Sequence, residues 1–264
     1  MKPLSELFVT TKAENRAALI GYMPAGFPTK EECILTIKAM VAGGVDAIEI
    51  GYPYSDPVMD GPIIQAAAEL SLANGTNAED VFDILQATVE MGVPAVVMTY
   101  WNPIERYGVK EFAAEIIKRG GSGVITPDLT VEESIGWKEA CEISAINRIY
   151  VVAPSTTDER LPKVVTQCSG FVYAASLMGV TGTRTSVSGN AKSLVARVKA
   201  ITATPVSVGL GVSTKEQAAE VAQYADGVIV GSAFIKQLQE SSSIGEGLAK
   251  VENLAKELSA GVRR

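Results

Sequence analysis

The amino-acid sequence predicts an α/β fold, the (β/α)8 TIM barrel, as a single domain over residues 1–264 with an extra helix at the N-terminus. Three observations predict it. Eight short apolar runs rich in β-branched residues follow one another along the chain, and longer segments with helical spacing separate them. The runs are also apolar at successive positions, as strands buried on both faces must be. A doubly wound open sheet is the competing arrangement. No GxGxxG follows the first run, so the dinucleotide-binding version of that fold has no support.

In chain order, strands are expected at Ala18 to Tyr22, Ala47 to Ile50, Ala95 to Thr99, Gly123 to Thr126, Ile149 to Val152, Phe171 to Ala175, Pro205 to Val208 and Gly227 to Val230. Between them, Lys30 to Ala42 places Ile34, Ile37, Met40 and Val41 on one helical face, and Val81 to Met91 does the same with Val81, Ile84, Leu85 and Val89. Thr29 with Glu32, Thr130 with Glu133 and Ser213 with Glu216 fit the S/T-x-x-E capping box that starts a helix. The segments AGGVDAIEIG (42–51), RGGSGVITPD (119–128) and QYADGVIVGS (223–232) echo one another as helix end, small-residue turn and buried strand.

Composition narrows the function. The chain is 47% hydrophobic, with a formal charge of -7 and scattered basic residues, which argues against a nucleic-acid surface. It carries no signal-like h-region and no uncharged apolar run of membrane-spanning length, so a cytoplasmic protein with no membrane attachment is expected. Cys33, Cys141 and Cys168 are far apart and never in CxxC spacing, which leaves neither a disulfide framework nor a zinc site. The histidine count is zero. Ser-His and Cys-His relays and His-ligated metals are thereby excluded, and proton transfer near neutral pH falls to Asp, Glu, Tyr or Lys.

Glu49 is the conspicuous acid, because it interrupts the second apolar run. Alternation puts Ala47 and Glu49 on one face of the strand and Ile48 and Ile50 on the other. The isoleucines suit packing against outer helices, which turns Glu49 toward the barrel axis at the carboxyl end, where such barrels build their active sites. A carboxyl desolvated there without a cation should have a raised pKa, fit for a general acid that must also act as a base. A salt bridge to an inward Lys or Arg is the alternative, but no other predicted strand carries one at an interior position. The loop PYSDPVMDGP (53–62) follows, stiffened by three prolines and holding Asp56 and Asp60. Either aspartate could shape a turn, or could face Glu49 across a substrate.

A second constellation lies later in the chain. Gly179-Val-Thr-Gly182 follows the sixth strand, Gly209-Leu-Gly211 the seventh and Gly231-Ser232 the eighth, the last opening a helical stretch. Glycines admit backbone N–H groups close to an anion and a helix N-terminus adds positive potential, so a phosphorylated substrate is expected. Tyr22, Tyr100 and Tyr173 end predicted strands and are candidates either for a pocket lining or for the core.

Together these residues carry a resemblance. GYPYSDPVMDGPIIQ with Glu49 two positions before it, APSTTDER (153–160), AASLMGVTGTR (174–184), GLGVS and GVIVGSA resemble, in order, the tryptophan synthase alpha chain family. Tyr22 and Tyr54 stand where that family more often has phenylalanine, and Met59 where a small residue is common. The resemblance implies retro-aldol cleavage of indole-3-glycerol phosphate to indole and glyceraldehyde 3-phosphate, with neither metal nor organic cofactor. It assigns Glu49 as acid-base, Asp60 as partner of the indole N–H and Tyr173 as a neighbouring hydroxyl. By the same resemblance Gly209, Gly211, Gly231, Ser232 and Gly182 would form the phosphate cradle, and Thr181 could hydrogen-bond Asp60 on closure. It further implies a pyridoxal-phosphate-dependent beta chain as partner in an alpha2-beta2 complex, with loops 53–62 and 179–188 closing over the substrate. A stand-alone indole-glycerol-phosphate lyase and a catalytically quiet regulator that binds the phosphate ligand remain the alternatives.

Overall fold

The first strand, β1 (Ala18–Pro24), is buried at all seven positions, and β2 (Ala47–Gly51) at all five. The computed structural model describes residues 3–175, 184–209 and 211–263. Among these, the remaining strands are β3 (Ala95–Met98), β4 (Gly123–Ile125), β5 (Asn147–Ile149), β6 (Val151–Val152), β7 (Val172–Ala175), β8 (Val206–Gly209) and β9 (Gly227–Val230). The helices are α1 (Leu4–Ala13), α2 (Lys30–Ala42), α3 (Pro62–Ala73), α4 (Ala78–Glu90), α5 (Trp101–Tyr107), α6 (Val109–Lys118), α7 (Ile135–Ser144), α8 (Leu161–Val165), α9 (Arg184–Lys199), α10 (Lys215–Ala222), α11 (Ser232–Gln239) and α12 (Ile244–Gly261). None of them is long and apolar enough to cross a membrane.

All pairings between these strands are parallel, in the order β5-β4-β3-β2-β1-β9-β8-β7-β6. The two ends of this row, β5 and β6, are consecutive in the chain with only Tyr150 between them, so the sheet closes on itself as a TIM barrel. The fifth predicted strand is thus two short ones: Ile149 pairs toward β4, and Val151 pairs with Tyr173 of β7. Arg148 lies on β5, but its guanidinium reaches the carbonyls of Lys138 and Gln167 and the carboxylate of Glu142 on the outer side. No basic side chain from it enters the interior.

The core has two parts, and strand parity divides them. Ile48, Ile50, Val97, Val124, Val208 and Val228 pack outward with helix residues such as Ile37, Met40, Ile84 and Leu85. Ala18, Ile20, Ala47, Val96, Ile125, Ile149 and Ile229 fill the interior. The predicted extra helix is α1, whose Leu4, Leu7 and Phe8 join that inner cluster, with the Phe8 ring 5.9 Å from Phe171.

The three sequence echoes are structurally equivalent. Asp46, Ser122 and Asp226 each enter a strand and donate their backbone N–H to the neighbouring strand, at Leu19, Ala95 and Val206 respectively. The two aspartates also return a carboxylate oxygen to that neighbour, accepting the N–H of Leu19 at 2.8 Å and of Val206 at 2.9 Å. Three positions after each of these residues, the inward side chain is Ile125 in β4 and Ile229 in β9, but Glu49 in β2. A carboxyl therefore occupies a place that the repeat fills elsewhere with isoleucine.

Two capping boxes differ from expectation. Thr29 does accept the N–H of Glu32, at 3.2 Å. Thr130 instead donates its hydroxyl to the Glu133 carboxylate at 3.0 Å, and the Glu133 N–H bonds to the Thr130 carbonyl, which closes a turn; α7 starts only at Ile135. At α10 the cap is Thr214, accepting from the Gln217 N–H, while Gln217 takes the Ser213 N–H at 2.8 Å. The cap therefore sits one residue later than Ser213, with Gln217 in place of Glu216 as the residue that reaches back.

Candidate active site

Glu49 is 0% exposed, and neither of its carboxyl oxygens has a hydrogen-bonding partner among the described residues. Its register neighbours are Tyr22 on β1 and Val96 on β3. Burial alone pushes its pKa from 4.5 up to about 8. The carboxyl is therefore largely neutral at pH 7. This is the environment that strand parity predicts.

Asp60 sits half-buried at the end of the β2 loop, just before α3. Burial raises its pKa and a hydrogen bond from the Tyr100 hydroxyl holds it back, so the two acids sit in different environments. The Asp60 carbonyl accepts from the Gln65 side-chain amide at 2.8 Å, which ties the loop to the first turn of α3. Pro62 at the start of that helix needs no hydrogen-bond acceptor, and it fixes where the loop ends. Asp56 is exposed and accepts from the Ser55 hydroxyl at 2.5 Å, a local loop contact.

Three tyrosines enclose these acids. Tyr22, Tyr100 and Tyr173 are all buried, and burial is the main cause that raises each hydroxyl's pKa. Tyr22 lies in the field of Asp60, Tyr100, Glu49 and Tyr173, and Tyr173 in that of Glu49 and Asp60. Tyr100 is pushed up to about 12. All three are neutral hydroxyls at working pH. Tyr100 also accepts the Met59 N–H at 3.1 Å, and its ring lies 5.3 Å from that of Tyr54.

Two tyrosines lean over a glycine on the adjacent strand. A Cβ at Gly51 would collide with the Tyr22 hydroxyl, and one at Gly209 would lie 2.5 Å from that of Tyr173. Gly209, read from the sequence as part of an anion cradle, thus makes room first for Tyr173. Gly211 has φ +67° and faces open space. Gly231 precedes α11, and Ser232 is its first residue. The first N–H groups of that helix have no acceptor within it and point where an anion is favoured.

Thr181 and Gly182 lie outside the described residues, as does the Thr181–Asp60 contact. The predicted loop 179–188 is shorter than expected at its far end, because Arg184 already belongs to α9. Sequence reading missed Asp128, whose two carboxylate oxygens accept the Trp101 N–H at 3.0 and 3.1 Å. The signal was available, since Asp128 closes the second of the three echoes at a barrel strand end.

Comparison with known proteins agrees with this geometry. The family model for the tryptophan synthase alpha chain matches residues 8–263. The tryptophan synthase alpha chain of Thermobifida fusca (strain YX) is 53% identical over 266 residues, covering 100% of this chain and 98% of the relative. That of Streptomyces avermitilis is 53% identical over 261 residues, covering 98% of this chain and 94% of the relative. A solved structure of Mycobacterium tuberculosis tryptophan synthase superposes with a TM-score of 0.92 at 50% identity, covering 99% of this chain and 98% of that one. With a TIM barrel and with likeness over nearly its whole length, the chain belongs to the tryptophan synthase alpha chain family.

Proposed function

We propose that the chain, as one barrel domain over residues 1–264, cleaves indole-3-glycerol phosphate with Glu49 as the proton carrier and Asp60 as the electrostatic partner. The observation that carries this reading is the Glu49 carboxyl on β2, buried, without a hydrogen-bonding partner among the described residues, and largely neutral. Glu49 gives its proton to C3 of the indole ring, and positive charge develops toward the ring nitrogen. The bond from C3 to the glycerol carbon then breaks, its electron pair returning to the ring. The hydroxyl on that carbon becomes the aldehyde oxygen as its proton passes to the Glu49 carboxylate. Indole and glyceraldehyde 3-phosphate leave, and Glu49 ends as it began. No water is consumed.

Asp60 as carboxylate accepts the indole N–H and stabilises the cation, and the Tyr100 hydrogen bond favours that ionised form. Tyr22 and Tyr100 line the ring pocket, and Tyr173 offers a neutral hydroxyl beside Glu49. Gly209, Gly211, Gly231 and Ser232, with the first turn of α11, receive the phosphate; Thr181 and Gly182 join them by resemblance. The partner is a pyridoxal-phosphate-dependent beta chain in an alpha2-beta2 assembly that takes up the indole, in the cytoplasm. Val58, 73% exposed on the β2 loop, and Ile135, 69% exposed at the start of α7, are apolar surface that such a partner would cover.

Indole release from indole-3-glycerol phosphate, measured for the chain alone and with a beta chain, tests the reading. Release that rises with the beta chain is expected. No indole in either case would refute it, and high unaided turnover would make the chain a stand-alone lyase.

A further inference from the structure

We propose that Asp128 is a positioning residue for the cleavage: its carboxylate fixes the start of α5, which fixes Tyr100, which in turn fixes the loop that carries Asp60. The proposal rests on the role assigned to Asp60 above. α5 runs only from Trp101 to Tyr107, and a helix this short has little stability of its own. Tyr100, at its N-cap, supplies no side-chain acceptor for the free N–H groups of the first turn. Asp128 fills that need from the loop after β4, with both oxygens on the Trp101 N–H. An anion is also the favoured charge at that end of a helix.

Tyr100 holds the β2 loop at two points. Its ring lies against Tyr54 near the loop's beginning, and its hydroxyl accepts the Met59 N–H near the end. The next residue is Asp60, whose carboxyl accepts a hydrogen bond from the Tyr100 hydroxyl and whose field reaches Tyr22 and Tyr173. A path of direct contacts therefore runs from Asp128 through the Trp101 N–H and Tyr100 to Met59 and Asp60. Asp128 itself is exposed. It acts through Tyr100 and not on the substrate.

The test measures indole-3-glycerol phosphate cleavage against pH for the full chain with a beta chain in excess, in wild type, Asp128→Ala, Asp128→Asn, Tyr100→Phe, the Asp128→Ala/Tyr100→Phe double variant and Asp60→Asn. Asp128→Ala should lower kcat about tenfold with KM within about threefold, because Asp60 is displaced from its productive position. The acidic limb of the profile should move up as Asp60 loses the Tyr100 hydrogen bond. Asp128→Asn keeps an oxygen for the Trp101 N–H and should restore kcat to within about threefold. Without the Tyr100 hydroxyl, Asp128→Ala should change kcat less than about twofold. Equal losses with and without that hydroxyl, or a fall in Tm with the pH profile unmoved, would overturn the proposal and leave Asp128 a helix cap alone. Asp60→Asn separates the two levels. If it is inactive while the Asp128 and Tyr100 effects simply multiply, the positioning role alone fails; if it is fully active, both readings fail.

Discussion

Replacing Glu49 by glutamine should stabilise the protein. Folding carries this carboxyl from its ordinary pKa of 4.5 to about 8. Between those values the folded state holds a proton that the unfolded chain has released, so raising the pH through this window costs stability. At about 1.4 kcal/mol per pH unit, the 2.5 units from 4.5 to 7 amount to about 3 kcal/mol at pH 7, and the full shift to about 5 kcal/mol above pH 8. Glutamine has the same size and no charge to release, which removes that cost. Denaturant unfolding of wild type and Glu49→Gln at pH 4, 7 and 8.5 measures it. The variant should match wild type at pH 4, exceed it by about 3 kcal/mol at pH 7, equivalent to roughly 5–10 °C in Tm, and exceed it further at pH 8.5. Equal midpoints at all three values, or a difference that widens toward acid, would show that folding does not raise the Glu49 pKa.

Three further outcomes are expected. Gly209→Ala places a methyl 2.5 Å from the Tyr173 hydroxyl and should lower turnover tenfold to about a hundredfold while the circular dichroism spectrum stays that of wild type. Asp46→Ala removes the Arg16 pair at 2.6 and 2.9 Å and the acceptor of the Leu19 N–H at the far end of the barrel. Denaturant titration should show a loss of about 2–3 kcal/mol with KM unchanged. Tyr100→Phe removes the hydrogen bond that holds the Asp60 pKa down, so the acidic limb of its kcat/KM profile should shift to higher pH.

Much of this was legible in the sequence because side-chain periodicity carries it. The inward direction of Glu49 follows from two isoleucines on alternate positions, and its raised pKa follows from burial with no Lys or Arg at an interior position of the other predicted strands. The echoes are informative for the same reason, since Ile125 and Ile229 reveal what the position of Glu49 would ordinarily hold. Features that depend on distant backbone were not legible. The break at Tyr150 is a matter of register across the barrel, with Ile149 paired to Ile125 of β4 and Val151 paired to Tyr173 of β7. The second echo ends on Asp128 but does not reveal its partner, a main-chain N–H 27 residues away. Gly209 read as an open approach to an anion, and only the fold shows the Tyr173 hydroxyl against it.

In the proposed mechanism one buried carboxyl both gives and retrieves the proton. Turnover of indole-3-glycerol phosphate by Glu49→Gln, with ligand binding measured on the same preparation, tests it most directly. Binding within a few-fold of wild type and indole formation reduced by about a thousandfold or more are expected. Indole formation within tenfold of wild type would contradict it.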